Sequence, residues 1–324
     1  MMQRRTTLRL ALAAAAAPAL SAHAQGAFPG QPITVVVPFA AGGNLDVMAR
    51  VVGVPMGKAL GQPIIIDNRA GAGGAIGHEY TARAEPNGYT LVCTANGSFA
   101  VTPRLMPKRP FQASDFAPIG MIGVTPLVLE VPAASRFKDF ADMLAYAKAN
   151  PGKVSIAHSG NGTTNHIAIL RMQEATGAQF TIVPYKGSGP ALNDLLGSQV
   201  DAMVDQLPSS LAHLKAEKLR PLAVTTAARA PDLPNTPTLA ELGLAKFDVS
   251  TAAGLLAPAK TPAAVVEQLN KALNGALADA DVQKRLRELG TVPMPMTAAK
   301  FRAFLMDEDA KAEAMFKSGA IKAE

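Results

Sequence analysis

The chain has 324 residues, of which 48% are hydrophobic and 17% charged. It carries enough apolar surface for one large domain or two ordinary ones, which excludes a disordered protein. One cysteine excludes a disulfide framework and a cysteine-based zinc site; the lack of tryptophan, with 5% aromatics, argues against stacking platforms for sugars or bases.

Residues 1–24 have the order of an export signal. Arg4, Arg5 and Arg9 open it, Leu10 to Leu20 is rich in Ala and Leu, and Ala22-His23-Ala24 forms a small-residue cleavage site before Gln25. The Arg4-Arg5 pair fits twin-arginine export, although Thr7 stands where a large apolar residue is usual, so the general secretory route fits as well. Removing three arginines and no acids takes the formal net charge from +6 to +3, too little to predict nucleic-acid binding. No later apolar run reaches about 18 residues, so the mature chain is expected in the periplasm. Cys93 lies in an apolar run and reads as a buried, inert thiol.

Strand and helix patterns then alternate. Ile33 to Val37, Ile64 to Ile66 and Tyr89 to Cys93 read as strands, with helices over 45–60 and 74–84. The pattern restarts after the long apolar run 121–131. Helices are predicted over 137–149, 164–176 and 189–197, and strands at 154–157, 181–184, 200–204, 222–225 and 254–257. Three helices close the chain at 262–277, 281–289 and 298–316, their starts marked by Thr261-Pro262, Asp279 and Thr297. The expected fold class is α/β with two lobes, each a mostly parallel sheet with helices on both faces. Residues 25–124 with 251–324 are assigned to lobe I and 125–250 to lobe II, and the long strands near 121–131 and 249–257 act as hinges over a cleft.

Four loops follow predicted strands. In the first, Phe39, Ala40, Ala41, Gly42, Gly43, Asn44 and Asp46 open a helix; its glycines allow close backbone approach and Asn44 is read as a helix cap. The second runs through Ser159, Gly160, Asn161, Gly162, Thr163, Thr164 and His166 and repeats that logic with added hydroxyls. Unpaired N–H groups at such helix starts bind anions, and two of them facing one cleft suit a ligand. The third loop has Gly71, Gly73 and Gly77, which is not the dinucleotide spacing, so no cofactor is expected. In the fourth, Asn96 and Ser98 can reach the cleft. His158 and His166 lack a metal-pair spacing, and no G-x-S-x-G supports a serine nucleophile; neither a metal nor a catalytic residue is assigned.

These segments resemble the periplasmic receptors of tripartite tricarboxylate transporters, the Bug-type solute receptors. The resemblance is carried by Pro32 to Gly43, Asp67-Asn68-Arg69-Ala70-Gly71-Ala72-Gly73-Gly74, Pro86 to Leu91, Ser159 to Thr163, Val183-Pro184-Tyr185-Lys186-Gly187, Asp194 to Asp201 and Gly254 to Pro258. It implies a two-lobed binding protein, monomeric and not an enzyme, that closes on a small organic carboxylate and serves integral-membrane transporter subunits. It puts the two glycine loops on opposite sides of the ligand, together with Tyr185, Asp46 and the second-lobe acid Asp205. The chain departs from many relatives at Leu45, at Ala252-Ala253 in place of an aromatic, and at Gln206, which leads us to expect a roomier, more apolar cleft suited to a larger or aromatic acid. An exported esterase acting through Ser159, a regulator's effector lobe and a sensory receptor are the alternatives; the second is disfavoured by the signal and by the lack of an N-terminal helix-turn-helix.

Overall fold

The computed structural model describes residues 28–319 and 321; the expected export segment lies outside them. The first half runs β1 (Ile33–Val37), α1 (Asn44–Leu60), β2 (Ile64–Asn68), α2 (Ala75–Ala82), β3 (Thr90–Ala95), α3 (Asn96–Ala100), α4 (Thr102–Leu105) and the long β4 (Phe116–Pro132). The second runs α5 (Phe140–Ala149), β5 (Ser155–His158), α6 (Thr164–Thr176), β6 (Thr181–Pro184), α7 (Ser188–Leu196), β7 (Ala202–Gln206), α8 (Leu207–Lys215) and β8 (Leu219–Val224). The chain returns through β9 (Ser250–Pro258), α9 (Ala263–Ala278), α10 (Ala280–Glu288), β10 (Val292–Pro293) and α11 (Ala298–Lys317).

The two lobes share one strand order. It is β2-β1-β3-β9-β4 in the first and β6-β5-β7-β4-β8 in the second. In each, three parallel βα strands form one side of the sheet, and the middle one, such as β1 with buried Ile33 and Val35 to Val37, has helices on both faces. The pairings on the other side are antiparallel, a refinement of the mostly parallel expectation. The reason is connectivity: β4 and β9 connect the lobes, so neither closes a right-handed βαβ unit.

β4 is the strand that makes one molecule of two lobes. Its Phe116–Pro126 stretch pairs with β9, and Leu127 onward lies between β7 and β8. The return crossing is as direct. Val249 donates its N–H to the Thr225 carbonyl (2.9 Å), and Ser250 then pairs opposite Pro126. Buried apolar residues separate accordingly. Val35, Met48, Ile119 and Leu273 share one core, whereas Leu129, Phe140, Ile156 and Met172 share another.

The C-terminal helices complete the first lobe. Leu269 and Leu273 of α9 join the core beneath α1, and Phe301 and Leu305 of α11 cover the opposite face. Arg104, almost wholly buried in α4, ties α11 down through Asp309 (2.6 Å) and Glu313 (3.0 Å). Asp279 and Thr297 cap α10 and α11 as their sequence positions suggest, whereas α9 starts after Pro262 with no side-chain cap and Thr261 lies buried one residue too early. Three helices went unrecognised in the sequence: α3, α4 and α8. The first two have five and four residues, too short to show a period, and α8 follows β7 with no intervening loop.

Gly254 lies where β9 passes beneath α11. A Cβ there would come within 2.3 Å of Phe301 Cζ and 2.6 Å of the Gly120 carbonyl oxygen. Gly254→Ala is therefore expected to destabilise the protein by about 1–3 kcal/mol through overpacking. A thermal melt checks this, and an unchanged midpoint would show that α11 does not press on the sheet.

Candidate functional site

Where the lobes meet, a small cavity is enclosed by Phe39, Gly43, Asn44 and Leu45 from the first βα loop, Ala95 and Ser98 beyond β3, and Ser159, Thr163, Thr164, Ser188 and Gln206 from the second lobe. Its volume is about 20 Å³, room for about one water. Among the described residues, no Lys, Arg, Asp or Glu lines it. Four helices of nine residues or more begin at its wall: α1, α6, α7 and α8. The first N–H groups of a helix have no intrahelical partner and stand at the positive end of its dipole. The N-caps of α1 and α7 are glycines, Gly43 and Gly187, with no side-chain cap bond, so those amides stay available to a guest.

Asn44 is not the cap that the sequence suggested. It is the first helical residue, one position too late for its side chain to reach back to the N2 or N3 amide. It is only 3% exposed, and neither atom of its side-chain amide has a hydrogen-bond partner. The second-lobe wall, in contrast, is satisfied. Ser159 donates to Asn165 Oδ1 (3.0 Å), Thr163 to the Gly160 carbonyl (2.7 Å) and Ser188 to Asp205 Oδ1 (2.5 Å). The Gln206 amide joins Asn165 (2.9 Å) and Thr251 (3.2 Å).

Of the residues assigned from sequence, Phe39, Gly43, Asn44, Ser98, Ser159, Thr163 and Thr164 meet at this cavity. The others stand around it. Ala40 donates its N–H across the cleft to the Lys186 carbonyl (3.1 Å), and the Asn161 carbonyl accepts from Thr102 (3.0 Å), so both latch the lobes together. Asp46 holds its own loop, accepting from Gly42 N–H (3.0 Å), Arg50 (2.9 Å) and Asn68 (3.0 Å). Burial pushes that carboxyl up, but Arg50 and the two other donors outweigh it and keep the group below its usual range. Ala41 contributes backbone beside Gly189, and Gly42, at φ 81°, adopts a turn that favours glycine.

Asn96 bonds Ser250, Ala252 and Glu308 and lines a separate, open hinge-side cavity. Gly160 and Gly162, at φ 136° and 81°, shape the loop that closes on Gly73 and Thr102. His166 stacks on His158 (4.7 Å), with Nδ1 accepting from Gly162 N–H. Tyr185 is turned to Asp194 (2.6 Å); burial and that carboxylate push its hydroxyl up to about 12. Ser159, the nucleophile of the esterase alternative, donates to Asn165 Oδ1 rather than to a histidine.

Asp205 lies behind the wall, fully buried, accepting from Ser188, Ser209 and Ser210. Ser210 Oγ also lies 2.6 Å from Glu130 Oε1. One hydroxyl proton cannot serve both carboxylates, so Glu130 carries a proton and donates to Ser210. Burial pushes Glu130 well up, reinforced by the Asp205 charge, and burial also raises Asp205 against its serine donors.

Ser188 and Ala95 were not assigned to the site from sequence, whereas Leu45 and Gln206 entered only as departures expected to shape the cleft. Gly187-Ser188, a glycine directly before a helix, repeats the pattern of Gly43-Asn44 and was the available signal. The alanines behind the expectation of a roomier cleft lie elsewhere. Ala252 and Ala253 are buried in the sheet cores rather than at the cavity, which leaves Leu45 as its one aliphatic departure.

Two similar lobes, two crossing strands and an enclosed interlobe cavity define a periplasmic-type solute-binding protein. The chain belongs to the family described as Tripartite tricarboxylate transporter family receptor, whose match covers residues 48–320. It is 42% identical to the UPF0065 protein in the tcbD-tcbE intergenic region of Pseudomonas sp. strain P51, over 82% of this chain and 79% of that one. Protein BugT of Bordetella pertussis is 38% identical, over 87% of each. Two structures from Rhodopseudomonas palustris are similar at 33% identity: MatC with bound malate (TM-score 0.85, 89% of this chain and 99% of that one) and a protein with adipate (0.87, 92% and 100%).

The buried acid and histidines predict opposing pH slopes. Glu130 holds a proton that the unfolded chain loses above about pH 4.5, so stability falls as pH rises from there through its folded pKa. Burial lowers His78 to about 4, and burial with the neighbouring His166 lowers His158 to about 3, so stability also falls as pH drops below 6.5. Glu130→Gln should melt increasingly above the wild type as pH rises from 5 to 8. A pH-independent difference between the two would refute a protonated Glu130.

Proposed function

We propose that the protein is an exported receptor that captures a small organic carboxylate between its lobes and delivers it to the membrane subunits of a tripartite tricarboxylate-type transporter. The carrying observation is the convergence of four helix starts on a cavity wall without ionised side chains. Main-chain N–H groups would hold the carboxylate through charge-assisted hydrogen bonds of roughly 1.5–3 kcal/mol each. No arginine need be stripped from the solute at release. Malate and adipate in the two R. palustris relatives support a carboxylate class.

Binding is a shift between open and closed lobes. The closed form already has direct latches at Ala40–Lys186 and Thr102–Asn161. A cavity of about 20 Å³ is too small for such a solute, so the lobes part to admit it and then close with the guest bridging both walls. The work is done in the periplasm, by a monomer, after removal of residues 1–24. The domain assignment of 25–124 with 251–324, and 125–250, is kept on the same reading.

A panel of mono-, di- and tricarboxylates tests the reading. A bound acid at 100 times its dissociation constant should raise the unfolding free energy by about 2.7 kcal/mol. Gly43→Val should remain folded, because a Cβ there meets only ordinary contacts at 3.6–3.7 Å and the φ of −81° suits any residue. It should lose the ligand-induced shift by filling the cavity. A panel with no stabilising acid, or a full shift in Gly43→Val, would overturn the assignment.

A further inference from the structure

We propose that Asn44 selects hydroxycarboxylates over acids that lack a hydroxyl; this inference rests on the carboxylate-receptor reading above and narrows it. The starting observation is the side-chain amide of Asn44, 3% exposed, at the cavity wall and unpartnered at both Oδ1 and Nδ2. Leaving a buried amide unpaired is costly, so a residue kept in that state is matched by something that enters the cavity. One edge of the amide donates and the other accepts. A carboxylate answers only the donor. A carboxylate with a hydroxyl on the adjacent carbon presents an acceptor and a donor side by side and answers both.

The rest of the wall points the same way. Ser98, Ser159, Thr163 and Ser188 each donate their hydroxyl proton into the protein, to Ala95 O, Asn165 Oδ1, Gly160 O and Asp205 Oδ1. What these hydroxyls retain for a guest is lone pairs. The main chain therefore supplies donors for a carboxylate, while the side chains supply acceptors that only a donor-bearing solute can use. An ammonium group would be such a donor. It fits poorly, because no carboxylate lines the cavity among the described residues and the helix dipoles present their positive ends.

The test is calorimetric titration of the purified receptor with three matched pairs: malate and succinate, lactate and propionate, citrate and tricarballylate. In whichever pair binds, the hydroxylated acid should be favoured at least tenfold. Asn44→Leu, close to Asn in size, should bring that ratio to about threefold or less. A second readout needs no ligand: Asn44→Leu should melt at or above the wild type, since it removes an unpaired amide from a buried site. Equal binding within a pair, a preference that survives in Asn44→Leu, or a clear loss of thermal stability in that variant would each overturn the role of Asn44 while leaving the receptor reading intact. Failure of all six acids to bind would remove the receptor reading, and this inference with it.

Discussion

The organisation of this protein depends on amides that its own secondary structure cannot satisfy. A helix leaves its first N–H groups without partners, and here α1 from one lobe and α6, α7 and α8 from the other all start at the same enclosed space. Glycine N-caps on α1 and α7 leave those amides uncovered, and among the described residues no Lys, Arg, Asp or Glu lines the cavity to neutralise them. A positive field made of backbone is rigid, because it is held by whole helices. It is also moderate in strength, which suits a receptor that must release what it binds.

Such a site works only if two halves bring their helix starts together and can part again. Both requirements fall on β4, which pairs with β9 in one lobe and with β7 and β8 in the other. One continuous strand belongs to both sheets, passing from one to the other at Pro126–Leu127, and the return strand crosses at Val249–Ser250. Small residues line the meeting faces for the same reason. Gly73 lies where a Cβ would strike the Asn161 carbonyl, and Gly97 where one would strike Thr164, so the loops close to backbone contact.

Behind the guest-facing wall, polar groups are arranged to hold it still. Asp46 binds Gly42, Arg50 and Asn68 and so shapes the loop that presents Gly43 and Asn44. Asp205 gathers three serine hydroxyls, one of them from the wall residue Ser188, and shares Ser210 with protonated Glu130 on β4. Both aspartates stand beside residues that line the cavity. At the cavity wall itself Asn44 differs from Ser159, Thr163 and Ser188: both atoms of its buried side-chain amide lack a partner.

Much of this was legible in the chain because it is local. Strand runs such as Ile33 to Val37, the glycines before helix starts, the caps at Asp279 and Thr297 and the ordered motifs of the receptor family all depend on residues a few positions apart. The carboxylate class came with the family resemblance, which those ordered motifs carry. What needed the fold was every fact about which loops face each other. Asn96 and Ser98, two residues apart, go to different cavities; Asp46 and Asp205 bond to other protein groups rather than line the central cavity; and Ser188 lines it from a position that sequence alone left unassigned. The physical reason is that amphipathic periods and caps are set by neighbours along the chain, whereas a side chain's partners are set by packing across lobes more than a hundred residues apart.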